Sequence, residues 1–245
     1  MKKILFLCCS IILVSCSSEE TIDFSDVNIS KKIIAHRGSW AKNDLPQNSR
    51  AALQTALAMN IYGVEFDVRQ TKDGVLIINH DEDYNDNIIQ NSTYSKLLTY
   101  NLDNGETIPT LEDFLSIYQA SNQKVRLVIE LKNCNPSAIV KLVNQYDIQD
   151  KVDYISFSRS YCDKLVELGY GSQVLYLGGD ISPDEIIKLG YSGIDYQNKV
   201  FYSYPEWINE AKNLGLRVFV WTVNRIPEIK YFLEKDVIVT TDTPC

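Results

Sequence analysis

The chain has 245 residues, with 24 Lys and Arg against 32 Asp and Glu, a formal net charge of -8 at pH 7. That balance argues against a nucleic-acid partner, because polymeric phosphates are held mainly by basic side chains and no basic stripe is present. A small anionic substrate needs only a few local cations and stays open, and the length suits one large domain.

Lys2 and Lys3 precede an apolar run from Ile4 to Val14, the pattern of an export signal and too short for a spanning helix. Leu13-Val14-Ser15-Cys16 has the form of a bacterial lipoprotein cleavage box. Residues 1–16 are therefore expected to be a signal region ending at a lipidated Cys16, followed by a polar tether over residues 17–30. An ordinary signal peptide cut near Ser17 or Ser18 is the alternative. Lipidation is preferred because the cysteine follows the apolar run directly. Acyl chains there would anchor the protein to a membrane of a bacterial cell envelope, facing the periplasm or exposed on the surface, without spanning it. With Cys8 and Cys9 removed and Cys16 acylated, Cys134, Cys162 and Cys245 remain, an odd and widely spaced set read as ordinary thiols.

From residue 31 onward short β-rich runs alternate with helical patterns. Strands are predicted near 33–37, 63–68, 126–131, 153–157, 173–177, 192–196, 216–222 and 237–240. Helical periodicity falls between them in Ser49–Met59, Thr110–Tyr118, Pro136–Tyr146, Tyr161–Leu168, Pro183–Leu189, Pro205–Leu214 and Pro227–Glu234, four of them opening on proline, which suits a first helical turn. Eight such repeats imply an α/β fold, a (β/α)8 TIM barrel spanning residues 31–245. A ninth apolar run, 75–79, follows too short a connection for a crossover, so it should return as an antiparallel hairpin partner of the second strand.

Both histidines end apolar runs, in Ile33-Ile34-Ala35-His36-Arg37-Gly38 and Leu76-Ile77-Ile78-Asn79-His80-Asp81. In Val64-Glu65-Phe66-Asp67-Val68 the two carboxylates share a strand face, and the hairpin would bring His80 opposite them. Like charges so placed repel, and a bound cation is the simplest remedy. Leu127-Val128-Ile129-Glu130-Leu131-Lys132 offers a third carboxylate and an ammonium on one face. Three oxygen donors favour one hard divalent ion, Ca²⁺ or Mg²⁺, and two histidines with no paired Cys-His spacing disfavour zinc.

The ordered blocks His36-Arg37-Gly38, Leu45-Pro46-Gln47-Asn48, Glu65-Phe66-Asp67-Val68, Thr71-Lys72-Asp73-Gly74, His80-Asp81, Glu130-Leu131-Lys132, Trp221-Thr222-Val223-Asn224 and Thr241-Asp242-Thr243-Pro244 resemble the glycerophosphodiester phosphodiesterase family. The resemblance implies metal-dependent hydrolysis of a small glycerophosphodiester to glycerol 3-phosphate and an alcohol. It implies His36 and His80 as the acid/base pair, without saying which is which, Arg37 and Lys132 as phosphate-binding residues, and Glu65, Asp67 and Glu130 as metal ligands. It also makes Trp221 a possible substrate wall and a neighbouring glycerol hydroxyl the nucleophile, giving a cyclic phosphate that water opens. Gln47 stands where the family usually has a glutamate. The segment between His80 and Ile108 is polar, and in relatives it would overhang the barrel mouth. Two other readings are a phosphodiesterase acting on intact phospholipid or phosphoinositide head groups, and a non-catalytic anion- or glycan-binding lipoprotein.

Overall fold

Runs of Val, Ile, Leu and Tyr fit a pleated, buried surface and set the strand positions. In the computed structural model, which describes residues 22–23, 26–121 and 124–244, they are β1 (Ile33–Ala35), β2 (Gly63–Gln70), β3 (Leu76–Ile78), the short β4 (Asp83–Tyr84) and β5 (Asn87–Ile88), β6 (Arg126–Leu131), β7 (Val152–Ser156), β8 (Val174–Tyr176), β9 (Gly193–Gln197), β10 (Arg217–Trp221) and β11 (Ile238–Thr241). Eight of these, β1, β2 and β6 to β11, pair in parallel. Because β1 bonds both β11 and β2, the sheet closes into a TIM barrel. The residues assigned to the export signal, including Cys16, lie outside the described residues, and one helical turn, Val27–Ser30, precedes β1.

Alternation along each strand divides the apolar residues into two layers. On β2, Val64, Phe66 and Val68 face the helices, while Glu65 and Asp67 point into the barrel. The interior layer is small and apolar, built from Ile34, Val128, Ile155, Leu175, Leu177 and Phe219. At the barrel's N-terminal end the interior is closed by a different chemistry. Asp153 is fully buried and takes Arg126 Nε at 2.8 Å, Arg217 Nη1 at 2.5 Å and the Tyr62 hydroxyl at 2.9 Å. Burial would raise this carboxyl, but the two guanidinium groups hold it below its usual range.

Local capping explains several helix boundaries. Ser49 accepts from Ala52 N ahead of Arg50–Leu57, Thr110 and Asp113 form a reciprocal capping box on Leu111–Ala120, and Asn135 precedes Pro136 in Pro136–Gln145. The helix expected at Tyr161–Leu168 begins earlier, at Arg159, because Ser158 caps it. Pro205 lies two residues before its helix, Trp207–Asn213, and a short helix at Asn198–Ser203 fills the turn before it.

The ninth run returns antiparallel, with Val68, Arg69 and Gln70 opposite Ile78, Ile77 and Leu76. Its tight turn needs a left-handed residue, and Gly74 supplies it at φ +87°. Asn79 N continues the ladder to Asp67 O at 3.0 Å, and Arg69 grips the His80 carbonyl at 2.7 and 3.0 Å, which fixes His80 beside the carboxylate face. Leu76 and Ile78 join the main core, whereas Ile77 faces a separate cluster with Tyr84, Ile89, Leu97 and Ile108. The polar stretch 85–107 thus folds beside β3 around its own apolar centre, an arrangement its composition concealed.

Candidate active site

After β1 the chain turns sharply through Arg37 at φ +55° and Gly38 at φ +85°. A left-handed arginine is strained by about 1 kcal/mol or more. Hydrogen bonds over-determine it: Arg37 N donates to Glu65 Oε2 at 2.8 Å, Gly38 N to Glu65 O at 3.2 Å, and Asn48 N to Arg37 O at 2.9 Å. Glycine at 38 is obligatory, since a Cβ there would stand 2.7 Å from Ala52 Cβ. The turn therefore ties the Arg37 backbone to the first carboxylate.

Glu65, Asp67 and Glu130 each present an oxygen within 4.8 Å of the others, all three residues being buried. Lys132 Nζ sits 2.8 Å from Glu130 Oε1 and 3.2 Å from Asp67 Oδ1, and Arg37 Nε lies 3.5 Å from Asp67 Oδ2. Asn48, itself left-handed at φ +58°, donates Nδ2 to Asp67 Oδ2 at 2.8 Å. Burial and then the charges of Asp67 and Glu130 push the Glu65 carboxyl well above its usual range. Burial and Asp67 raise Glu130 to about 7. For Asp67, burial is outweighed by Lys132, Asn48, His80 and Arg37, so its carboxyl is lowered. Lys132 behaves oppositely: burial would lower it, but Asp67 and Glu130 hold the ammonium above its usual value.

The residues present fit a hard divalent cation. Glu65 Oε1 is buried with no hydrogen-bond partner among the described residues, and Asp67 Oδ1 accepts none either, although the Lys132 ammonium lies near it. All donors are carboxylate oxygens, which suit Ca²⁺ or Mg²⁺.

Each histidine is oriented through Nδ1. His36 Nδ1 lies 2.7 Å from Asp242 Oδ1, and its Nε2 faces Glu65 Oε2 at 3.9 Å. Asn224 steadies Asp242, donating Nδ2 to its Oδ2 at 2.5 Å and accepting its backbone N–H at 2.9 Å. His80 Nδ1 lies 2.8 Å from Asp81 Oδ1. Burial, against the pull of Asp67 and Asp81, lowers the His80 imidazole and favours its neutral ring.

A cavity of about 260 Å³ gathers these groups at the C-terminal ends of the strands. His36, Arg37, Glu65, His80, Glu130 and Lys132 line one side, and Ile155, Phe157, Leu177, Asp195 and Trp221 the other. Trp221 packs edge-on against Phe157 with centroids 5.5 Å apart, and its indole N–H donates to Asp195 O at 2.9 Å. Asp67 sits beneath, 1% exposed. Among the described residues none between His80 and Glu130 lines the cavity, so the polar 85–107 stretch does not form its wall. Gln47 accepts from Arg37 Nη1 at 2.6 Å. Sequence reasoning assigned no site role to Asn48 or Asn224, although both stand in the recognised blocks, and it overlooked Phe157 and Asp195. Their only signals were an aromatic at a strand end and an acid within the apolar Ile194-Asp195-Tyr196.

The profile of the Glycerophosphoryl diester phosphodiesterase family matches residues 36–244. A glycerophosphodiester phosphodiesterase of Caldanaerobacter subterraneus subsp. tengcongensis is 25% identical over 230 residues, 86% of this chain and 93% of its own length. The crystal structure of a glycerophosphodiester phosphodiesterase from Parabacteroides distasonis ATCC 8503 superposes with a TM-score of 0.83 at 37% identity, covering 88% of this chain and 94% of that one. An Oleispira antarctica phosphodiesterase, solved in complex with the product sn-glycerol-3-phosphate, shares the fold with a TM-score of 0.72 at 24% identity over 86% of this chain and 93% of that one. With the match spanning the barrel from His36 onward, the chain belongs to the glycerophosphoryl diester phosphodiesterase family and is a phosphoric diester hydrolase.

Proposed function

We propose that the cavity hydrolyses glycerophosphodiesters to glycerol 3-phosphate and an alcohol, with His36 and His80 exchanging the protons. The observation that carries this reading is the pairing of each imidazole Nδ1 with a carboxylate, at 2.7 and 2.8 Å, beside three converging carboxylates. A carboxylate on Nδ1 fixes the tautomer and leaves Nε2 for proton transfer. The Oleispira antarctica relative, with its bound product, supports the choice of product.

His80, held neutral by burial, accepts the proton of the substrate's middle glycerol hydroxyl as that oxygen attacks phosphorus. His36, with Asp242 facing one ring nitrogen and Glu65 the other, donates to the departing alkoxide. The five-membered cyclic phosphate is then opened by water, with the two imidazoles in reversed roles. Arg37 and Lys132 neutralise phosphate oxygens. Glu65, Asp67 and Glu130 would hold one Ca²⁺ or Mg²⁺, which when bound supplies Lewis-acid stabilisation of the phosphoryl charge. The deciding assay follows glycerol 3-phosphate release from glycerophosphocholine and glycerophosphoethanolamine, with and without chelator. Turnover that persists undiminished in His36→Ala or His80→Ala refutes the acid/base assignment, and no turnover of any diester with cation present favours a binding role.

Anchoring at Cys16 in a bacterial envelope is part of the proposal and is supported by the sequence pattern alone. Metabolic labelling with an alkynyl fatty acid tests it: wild type should be labelled and membrane-bound, and Cys16→Ala should be neither.

A further inference from the structure

On β9, Ile194 and Tyr196 join the helix-facing core, which turns Asp195 into the barrel, 1% exposed. It stands opposite Phe219 in the ladder, in the layer otherwise made of Ile155, Leu175 and Leu177. Asp195 Oδ1 is buried with no hydrogen-bond partner among the described residues. A buried carboxyl without a partner is costly, and it persists where a ligand supplies the missing contact. This one lines the cavity on the side facing the charged groups, and its backbone carbonyl anchors the Trp221 indole. The wall around it is apolar, with Ile155, Leu177 and Trp221, so the missing partner is one polar atom on a carbon framework.

Resting on the substrate class proposed above, we infer that Asp195 binds the terminal hydroxyl of the substrate's glycerol arm and thereby positions the middle hydroxyl for attack on phosphorus. Two arguments select that hydroxyl. The leaving alcohol must reach solvent, whereas Asp195 is 1% exposed and stands level with Phe219 of the interior layer, where only the part common to all glycerophosphodiesters is retained. An ammonium partner is disfavoured because burial, and then the nearby Glu130, raise the Asp195 carboxyl and so weaken its pull on a cation, whereas a hydroxyl can donate to it or accept from it. Asp195 is a positioning residue: it acts on the reacting oxygen through the carbon chain.

The experiment compares glycerophosphocholine with the phosphodiester of choline and propane-1,2-diol, which keeps the attacking hydroxyl but lacks the terminal one. Wild type should favour the glycerol diester in kcat/KM by roughly tenfold to a hundredfold. Asp195→Leu should erase the preference by lowering only the glycerol rate, and Asp195→Asn, which can still donate and accept, should keep most of it. Circular dichroism and melting temperature report folding. If Asp195→Leu does not fold, Asp195→Ala and wild-type inhibition by glycerol 3-phosphate against propane-1,2-diol phosphate carry the test, with tighter inhibition by the glycerol compound expected. A preference undiminished in a folded Asp195→Leu or Asp195→Ala overturns the inference, as does a wild type that does not distinguish the two diesters. Wild type that turns over neither diester overturns the substrate assignment itself.

Discussion

The two ends of the barrel bury acids in opposite states of satisfaction. At the N-terminal end one carboxylate, Asp153, meets two guanidinium groups and a phenol, and its charge is matched with excess. At the C-terminal end three carboxylates converge around Lys132 with Arg37 alongside, and a Glu65 oxygen is left without a hydrogen-bond partner among the described residues. The first arrangement is finished by the chain itself and can only hold the strands together. The second is incomplete and destabilised until something positively charged arrives, and unmet demand of that kind marks a binding centre.

Removing groups from each end should give distinct phenotypes, and the largest effect is expected at the incomplete one. His36→Ala should lower kcat by roughly 10²–10⁴-fold while leaving the melting temperature within a few degrees, as expected for loss of a general acid. Steady-state kinetics beside a thermal melt would show this, and equal losses in rate and stability would contradict it. At the finished end, Asp153→Ala strands two guanidinium groups and should cost about 3–5 kcal/mol of folding stability, read from denaturant unfolding, while the kcat of the folded fraction stays near wild type.

The cation should act through protonation. In the cation-free protein Glu130 titrates at about 7 and Glu65 is raised as well, so protons stabilise the folded state at low pH and that stabilisation fades as pH climbs through 7. A divalent ion requires the ionised carboxylates, and its binding releases those protons. The rise in melting temperature on adding Ca²⁺ or Mg²⁺ should therefore be greater at pH 8 than at pH 5.5, with about 2.7 kcal/mol of stabilisation when the ion stands at a hundred times its dissociation constant. An equal rise at both pH values would mean that the carboxylates do not hold the ion. Gln47→Glu should matter least: it exchanges a neutral acceptor on Arg37 for a charged one at an exposed position, a change of about 1 kcal/mol or less in substrate binding, measurable as a KM shift below tenfold.

The barrel was legible because strand and helix periods differ and eight alternations leave few topologies. The hairpin was legible because four residues cannot cross a sheet. The strand-borne acids and histidines were legible for a related reason: period-two alternation in an apolar run says which side chains face inward. Asn48 and Asn224 were not given roles, because an amide in a loop looks the same whether it braces a carboxylate or faces water. Asp195 was missed because a lone acid in a short apolar strand carries no partner in sequence to suggest its use. The packing of residues 85–107 was hidden because its few apolar residues, Ile89 and Leu97 among them, gain a centre only when Ile77 of β3 is turned toward them.

That last arrangement bears on how the two imidazoles keep their spacing. His36 is carried by the closed ring of strands, but His80 hangs from β3, which is secured on its outer side by Ile78 N donating to Pro109 O at 2.8 Å and by the bridge from Ile77 to Thr110. The folded excursion from Asp81 to Ile108 is thus a strut that returns the chain to brace β3 from outside. Homologous chains with longer or shorter excursions must rebuild that brace, and a deletion that spared every reactive group would still loosen the interval between proton giver and proton taker.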